Sequence, residues 1–282
     1  MTMMDIRDCL LGLYEKALPF SLNWDEKLNA VKELGYDFME LSIDADHTDR
    51  LDWTDAEINS LLEKSKKYNI PFHTLALSAN RGWPLGSKDE KTREYGKELL
   101  KKAVILAKKL DAGIVQVATY DVYDEEGDDE TDRLFLESIR ECAQTAAQYE
   151  VTLGLETMDL PYADSVKKCK RIVDEIASPW IKIYADTGNI ASAGYDFANE
   201  INGDIDIIVA VHLKDSRPGV VRHVVHGTGI VDFDTVFQAL NENEFQGFFV
   251  AEMWGEGDPK YMEKARDAGV FLRHKIEANQ DT

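Results

Sequence analysis

Short apolar runs rich in β-branched residues alternate along the chain with longer amphipathic segments. The runs that we predict as strands cover residues 10–14, 38–43, 70–77, 113–119, 151–156, 181–186, 207–213 and 247–253. The segments with helical periodicity cover residues 24–34, 54–68, 90–110, 130–149, 164–177, 196–206, 233–243 and 259–275. Asn23 and Thr54 are placed to cap helices, Gly35 to end one, and Asp164 to precede one. Such alternation is typical of βαβ units around a parallel sheet.

The number of strand–helix pairs indicates a closed barrel. Eight pairs at spacings of roughly 25 to 45 residues, without a Pro/Gly/Ser-rich linker, are typical of a (β/α)8 fold. We therefore predict an α/β protein, a single-domain TIM barrel over residues 1–282 whose last few residues are disordered. An open doubly wound sheet is the alternative. It is disfavoured because no G-x-G-x-x-G follows the first strand and because polar residues recur at many strand ends.

Four ionisable residues stand at the ends of the fifth to eighth predicted strands. They are Glu156, Asp186, His212 and Glu252, which we call the strand-end cluster. A parallel barrel strand is buried on both faces, so a charged residue at its end must be paired, metal-bound or catalytic. Consecutive strands bring the four side chains together, and clustered acids repel one another without a cation. Their oxygen and nitrogen ligands predict one divalent ion, Zn²⁺, Mn²⁺, Co²⁺ or Mg²⁺.

Two members of the cluster are glutamates, which suggests proton transfer. If Glu156 and Glu252 flank the ion, one can remove a proton beside a carbonyl and the other can return one on the opposite face. A divalent ion would acidify that C–H bond and stabilise the enediolate. The predicted chemistry is epimerisation, with both glutamates as catalytic residues.

Composition limits the partners of this chain. The 32 Lys and Arg against 53 Asp and Glu give a net charge of −21, which disfavours nucleic acid and anionic membranes. An anionic substrate would therefore need a locally basic pocket. Three cysteines without C-x-x-C spacing fit a reducing cytoplasm. Neither a signal peptide nor a run of about 18 apolar residues is visible, so we expect neither secretion nor a membrane span.

Motifs over nearly the whole chain resemble the xylose isomerase-like barrels, and within them the L-ribulose-5-phosphate (or L-xylulose-5-phosphate) 3-epimerases. They are LLGLYEKALP at 10–19, FMELSID at 38–44, LSANRGWPLGS at 77–87, GLETMD at 154–159, DTGN at 186–189, VHLKD at 211–215, GTGIVDF at 227–233 and AEMW at 251–254. The resemblance implies a metal-dependent 3-epimerase of a pentulose 5-phosphate, in which the strand-end cluster binds the ion and its two glutamates form the acid/base pair. A homodimer is possible, as related barrels are often dimers.

The remaining candidates would contact the substrate. Related ketose 3-epimerases without a phosphate preference have His where this chain has Asn189, which favours the phosphopentulose branch. The candidates for the phosphate are the basic side chains and the glycine-rich loop in the segments after strands 3 and 7: Arg81, Lys214, Arg217, Arg222, His223, Gly227 and Gly229. Glu40, His73 and Trp83 are predicted to line the sugar pocket.

Other functions remain open at this point. An aldose–ketose isomerase of the hexulose-6-phosphate type would use the same ion and enediolate, and a keto-inositol dehydratase would begin with the same proton abstraction. An abasic-site endonuclease would need more His ligands than the six histidines allow and a basic surface. A non-catalytic sugar-binding barrel would have no need of two glutamates beside one carbon.

Overall fold

The protein, described here as a computed structural model of residues 6–278, forms a closed parallel barrel. Strands pair in chain order, and β8 closes on β1. The strands are β1 (Leu11–Tyr14), β2 (Phe38–Ile43), β3 (Thr74–Leu77), β4 (Ile114–Ala118), β5 (Thr152–Glu156), β6 (Ile181–Asp186), β7 (Ile208–Leu213) and β8 (Phe248–Ala251). The predicted (β/α)8 barrel is confirmed. The predicted disorder of the last few residues falls largely outside the described residues.

Nine α-helices occur within residues 6–278. They are α1 (Trp24–Glu33), α2 (Asp55–Tyr68), α3 (Glu90–Lys109), α4 (Asp129–Tyr149), α5 (Val166–Ile176), α6 (Thr187–Ser192), α7 (Phe197–Ile201), α8 (Phe233–Glu242) and α9 (Tyr261–Ala278). Asn23 and Thr54 form capping boxes as predicted, and Gly35 follows the end of α1 at φ +79°. None of these helices is long and apolar enough to span a bilayer.

Two predicted elements differ from the structure. The sixth predicted helix, at 196–206, begins after its Asp196 cap but ends as α7 at Ile201, where Gly203 at φ +84° follows, and α6 was not predicted. The third strand begins four residues later than predicted. At the start of α5, the cap is Ser165 rather than Asp164; the Ser165 side chain accepts a hydrogen bond from the Lys168 N–H at 3.3 Å.

A buried ionic cluster lies beside the first two strands. Glu15 follows β1 and is fully buried, and Arg50 donates to it from both terminal nitrogens at 2.7 and 3.0 Å. Lys27 donates to the same carboxylate at 2.5 Å, and the backbone N–H of Ser42 donates at 3.0 Å. Glu15 therefore ties β1 to α1, β2 and the segment after β2.

Inward-facing side chains fill the barrel. Phe38, Tyr184, Ala210 and Val250 belong to one buried cluster. A side chain at Gly12 would come within 2.4 Å of Phe38, so the glycine makes room for that ring. Because side chains on a strand alternate between faces, residues two positions further along also point inward. This pattern aims the residues at the carboxyl ends of β6, β7 and β8 at the barrel axis.

Candidate active site

The strand-end cluster converges at the carboxyl-terminal mouth of the barrel. Glu156 ends β5, Asp186 ends β6, His212 lies one residue before the end of β7, and Glu252 directly follows β8. One ligand atom from each residue lies within 4.8 Å of the others, and all four residues are buried. His212 Nδ1 is 2.7 Å from Glu156, 3.9 Å from Asp186 and 4.0 Å from Glu252. This is a set of three carboxylates and one imidazole that could hold a divalent ion.

The two ring nitrogens of His212 have different partners. Nδ1 faces the three carboxylates of the cluster, whereas Nε2 lies 2.7 Å from Glu40 Oε2. Glu40 is fully buried, and its other oxygen accepts from Thr74 at 2.7 Å and from Tyr184 at 2.8 Å. A carboxylate that accepts the Nε2–H fixes the tautomer whose Nδ1 lone pair is free for a metal. Glu40 therefore orients His212 and does not line the sugar pocket, which corrects the sequence prediction.

Lys214 provides a positive charge beside the cluster. Its Nζ lies 2.8 Å from Asp186 Oδ2 and 3.0 Å from Glu252 Oε2. Those two buried oxygens nevertheless have no partner in hydrogen-bond geometry. Lys214 balances one of the three carboxylate charges of the cluster, and a bound divalent ion would balance the other two. The donor set thus fits a divalent ion.

The ionisable groups perturb one another strongly. Burial would lower the pKa of His212, but the carboxylates of Glu40, Glu252 and Glu156 raise it well above its usual value. Burial raises the pKa of Asp186 well above its usual range. Burial acts in the same direction on Glu252, but Lys214 and His212 outweigh it and lower that pKa to about 2. The cluster accumulates acids whose repulsion a cation would relieve.

A small cavity, which we call the cluster cavity, opens beside these residues. Its lining includes two cluster members, Glu156 and Glu252, and four residues that the sequence predicted as substrate contacts: Arg81, Asn189, Lys214 and Arg222. Asn189 donates to the carbonyl of Thr157 at 2.8 Å, which leaves its buried Oδ1 without a partner. An unpartnered acceptor that lines a cavity is suited to a substrate hydroxyl.

Two further residues predicted to line the sugar pocket do not line the cluster cavity. His73 precedes β3, at the amino-terminal end of the barrel, where it stacks on Phe248 at 5.0 Å. The cluster lies at the carboxyl-terminal mouth, so His73 is at the opposite end of the barrel from it. Trp83 packs against Tyr95 of α3 at 5.0 Å and does not line the cluster cavity, so it anchors the loop after β3. His73 therefore lies away from the cluster because it precedes β3, whereas Trp83 follows β3 on the side of the barrel that carries the cluster, and its contact with the substrate stays a prediction.

Four predicted phosphate contacts also lie outside the cluster cavity. Arg217 donates to the carbonyl and side chain of Thr228 at 3.3 and 3.2 Å. His223 is exposed, and its ring centroid lies 5.7 Å from that of Trp254, beside a neighbouring cavity. The remaining two, Gly227 and Gly229, belong to the glycine-rich loop. One backbone donor of this loop already has a partner, because the N–H of Gly229 donates to Asp215 at 2.8 Å. At Gly227, φ is +79° and an added Cβ would meet Phe271 at 2.8 Å. These glycines therefore serve a tight turn.

Sequence reasoning missed several residues that hold the cluster in place. Gln116 of β4 donates a hydrogen bond to Glu156, and the hydroxyl of Thr157 accepts from the backbone N–H of Asp186 at 2.8 Å. The side chain of Asp186 in turn accepts from the N–H of Asn189 at 2.7 Å. Gln116 could have been found as a polar residue at an inward-facing position of a strand. Thr157 carries no comparable signal.

The fold and this site define a class of protein. Residues 28–274 match the xylose isomerase-like TIM barrel family, and the chain belongs to that family.

Individual relatives narrow the class. The chain is 38% identical over 262 residues to L-ribulose-5-phosphate 3-epimerase UlaE of Escherichia coli (strain SMS-3-5 / SECEC), with 91% of this chain and 92% of that protein covered. A solved L-ribulose 3-epimerase superposes with a TM-score of 0.83 at 16% identity, covering 96% of both chains. D-Psicose 3-epimerase of Clostridium cellulolyticum H10 gives a TM-score of 0.81 at 19% identity, over 95% of this chain and 99% of that one. The predicted resemblance and the predicted carbohydrate epimerase class are confirmed.

Proposed function

We propose that this protein is a metal-dependent 3-epimerase of a pentulose 5-phosphate, interconverting L-ribulose 5-phosphate and L-xylulose 5-phosphate. The UlaE relative, similar over nearly its full length, supports the substrate class. The strand-end cluster supports dependence on one divalent ion among Zn²⁺, Mn²⁺, Co²⁺ and Mg²⁺. The observation that carries the proposal is the placement of two glutamates, one at the end of β5 and one directly after β8, on the wall of one cavity.

The two glutamates are held differently, which suits two separate proton transfers. Glu156 is oriented by Gln116 and His212, whereas Glu252 lies beside the Lys214 ammonium. One carboxylate removes the C3 proton of the ketose, and the other returns a proton to the opposite face. A bound divalent ion would polarise the carbonyl and stabilise the enediolate oxygen. The unpartnered Oδ1 of Asn189 can accept a hydrogen bond from a substrate hydroxyl and so fix the chain of the sugar.

Solvent exchange tests the reaction class. The protein is incubated with Mn²⁺ in D2O and a panel of phosphorylated and free ketoses, and deuterium is located by NMR. An epimerase incorporates deuterium at C3, an aldose–ketose isomerase incorporates it at C1, and a non-catalytic sugar-binding barrel incorporates none. Deuterium at C1 alone, or no deuterium with any ketose, would contradict the proposal.

Location and assembly are the remaining parts of the proposal. The three cysteines are buried, and no disulfide joins them within residues 6–278, which supports a reducing cytoplasm. The family resemblance also motivates the proposal of a homodimer, which sedimentation velocity of the purified chain would test.

A further inference from the structure

A buried lysine lies inside the strand-end cluster. Lys214 directly follows β7, is only 5% exposed and lines the cluster cavity. Its Nζ lies 2.8 Å from Asp186 Oδ2 and 3.0 Å from Glu252 Oε2, and neither contact has hydrogen-bond geometry. Burial of an ammonium group is costly unless nearby negative charge offsets it. The two contacts therefore act through charge, and Lys214 is a cation built into the site.

The surroundings of Lys214 keep its side chain in this position. Its backbone N–H donates to the Thr187 hydroxyl at 3.0 Å, and that hydroxyl lies 2.7 Å from the Lys214 carbonyl. An added Cβ at Gly188 would come within 3.0 Å of Lys214 Cε, so the glycine makes room for the aliphatic stem. The ammonium lies over the ring of Trp254, 5.8 Å from its centroid. Lys214 is therefore held by α6 and by the segment after β8.

Lys214 faces carboxylate oxygens of the ligand set. Oδ1 of Asp186 accepts the N–H of Asn189 at 2.7 Å, so Oδ2 is the oxygen left for an ion, and Oδ2 faces Lys214. Oε1 of Glu252 lies 4.0 Å from His212 Nδ1, whereas its Oε2 faces the ammonium. An ion bound by the cluster would therefore share both carboxylates with Lys214.

A cation in this position has opposite effects on two steps. Like charges repel, so the ammonium weakens the binding of a divalent ion to the same carboxylates. Removal of the C3 proton, in contrast, leaves a negative charge on the ketose, and a preorganised positive charge beside the cavity stabilises it. Lys214 and a divalent ion together balance the three carboxylates of the cluster, so no net negative charge of the cluster opposes the enediolate. A residue that only positioned the ligands would strengthen metal binding instead.

We propose that Lys214 is the second cation of the active site, which weakens metal binding and stabilises the negative charge that forms on the ketose. This rests on the proposed function, because the enediolate belongs to that function. It assigns Lys214 to the reacting end of the substrate, whereas the sequence predicted a contact with the phosphate.

Metal affinity is the first test. Lys214→Met removes the charge and keeps most of the side-chain volume, Lys214→Gln is a second neutral variant, and Lys214→Arg keeps the charge. Lys91→Met removes the same charge from an exposed position on α3 and is the control. The Kd for Mn²⁺ is measured by chelator competition on the metal-free proteins. Both neutral variants should bind Mn²⁺ at least about tenfold more tightly than the control, because a repelling charge is gone, and Lys214→Arg should stay close to the control.

Steady-state kinetics of the Mn²⁺-saturated proteins are the second test. Lys214→Met should lower kcat by about 10²- to 10³-fold and change KM for the pentulose 5-phosphate far less, since the charge that Lys214 stabilises forms only during the reaction. Lys214→Arg should recover part of kcat, and the control should match the wild type. A phosphate contact would give the reverse result, a raised KM with nearly unchanged kcat.

The metal measurement separates failure of this inference from failure of the proposed function. Tighter Mn²⁺ binding by the neutral variants supports a second cation in the site even if no ketose is turned over, which would count against the function alone. Binding equal to or weaker than that of the control would overturn the inference, and so would a raised KM with unchanged kcat. Absence of Mn²⁺ binding in every protein would overturn both.

Discussion

Replacing Glu40 with Gln should weaken metal binding although Glu40 is not itself a ligand. Glu40 accepts three hydrogen bonds, from Thr74, Tyr184 and His212. Glutamine has one carbonyl oxygen, so its amide group must face at least one former donor. The hydroxyls can turn to accept from the amide, but His212 then loses its charged partner. Loss of such a partner typically weakens metal affinity by about 10- to 100-fold, or about 1.4 to 2.7 kcal/mol.

Chelator competition with Mn²⁺ measures this change, and Glu33→Gln, an exposed substitution on α1 with the same change in charge, is the control. A second readout is the titration of His212 by NMR in the metal-free protein. Glu40 is the first of the carboxylates that raise this pKa against burial, so the pKa should fall in Glu40→Gln. Metal affinity within twofold of the control, together with an unchanged His212 pKa, would refute the assigned role of Glu40.

Three further outcomes are expected. Glu156→Gln and Glu252→Gln should each lower turnover by roughly 10²- to 10⁴-fold with metal retained. Each variant should still exchange the C3 proton of one epimer with solvent, and the two variants should differ in which epimer that is. Equal loss of exchange for both epimers would favour a one-base mechanism. Glu15→Gln should lower the free energy of unfolding by about 3 to 5 kcal/mol in urea titrations at pH 7. Burial raises the pKa of the Glu15 carboxyl, but Arg50 and Lys27 outweigh burial and hold that pKa below 4.5. The contribution of Glu15 to the free energy of unfolding is therefore full above pH 4.5 and is lost as the pH falls. A variant whose stability depends on acid in the same way as that of the wild type would contradict this. Chelation of the metal should lower Tm, and Mn²⁺ at about 100 times its Kd should restore about 2.7 kcal/mol of the free energy of unfolding. An unaltered Tm would argue against a metal site.

The barrel and the strand-end cluster could be predicted because both depend on local pattern. A strand buried on both faces is a short apolar run, and an ionisable residue at its end stands out. Glu156, Asp186 and Glu252 are such residues, and the order of the strands in the barrel brings them together. Glu40 stands out in the same way, as an ionisable residue within an apolar run. Its partner could not be predicted, because the pairing with His212 spans 172 residues.

The rim of the cavity was harder to predict because loop conformation decides it. Arg217 and Arg222 lie five residues apart in the same acidic chain, and composition cannot tell which faces the cavity. The tight turn between Arg217 and Val220, together with the Trp254 ring over which Arg222 lies, determines which arginine faces the cavity. At β3, Pro71 lacks a backbone donor, and the strand begins only after it, which leaves His73 at the far end of the barrel.

Asp186 has two functions that cannot be changed independently. Its side chain belongs to the strand-end cluster, and the same side chain caps α6 by accepting the N–H of Asn189. A substitution that altered the ligand set here would also remove the helix cap and shift the residue whose free oxygen faces the cavity. Redesign of metal preference therefore has more freedom at Glu252, which caps no helix, than at Asp186.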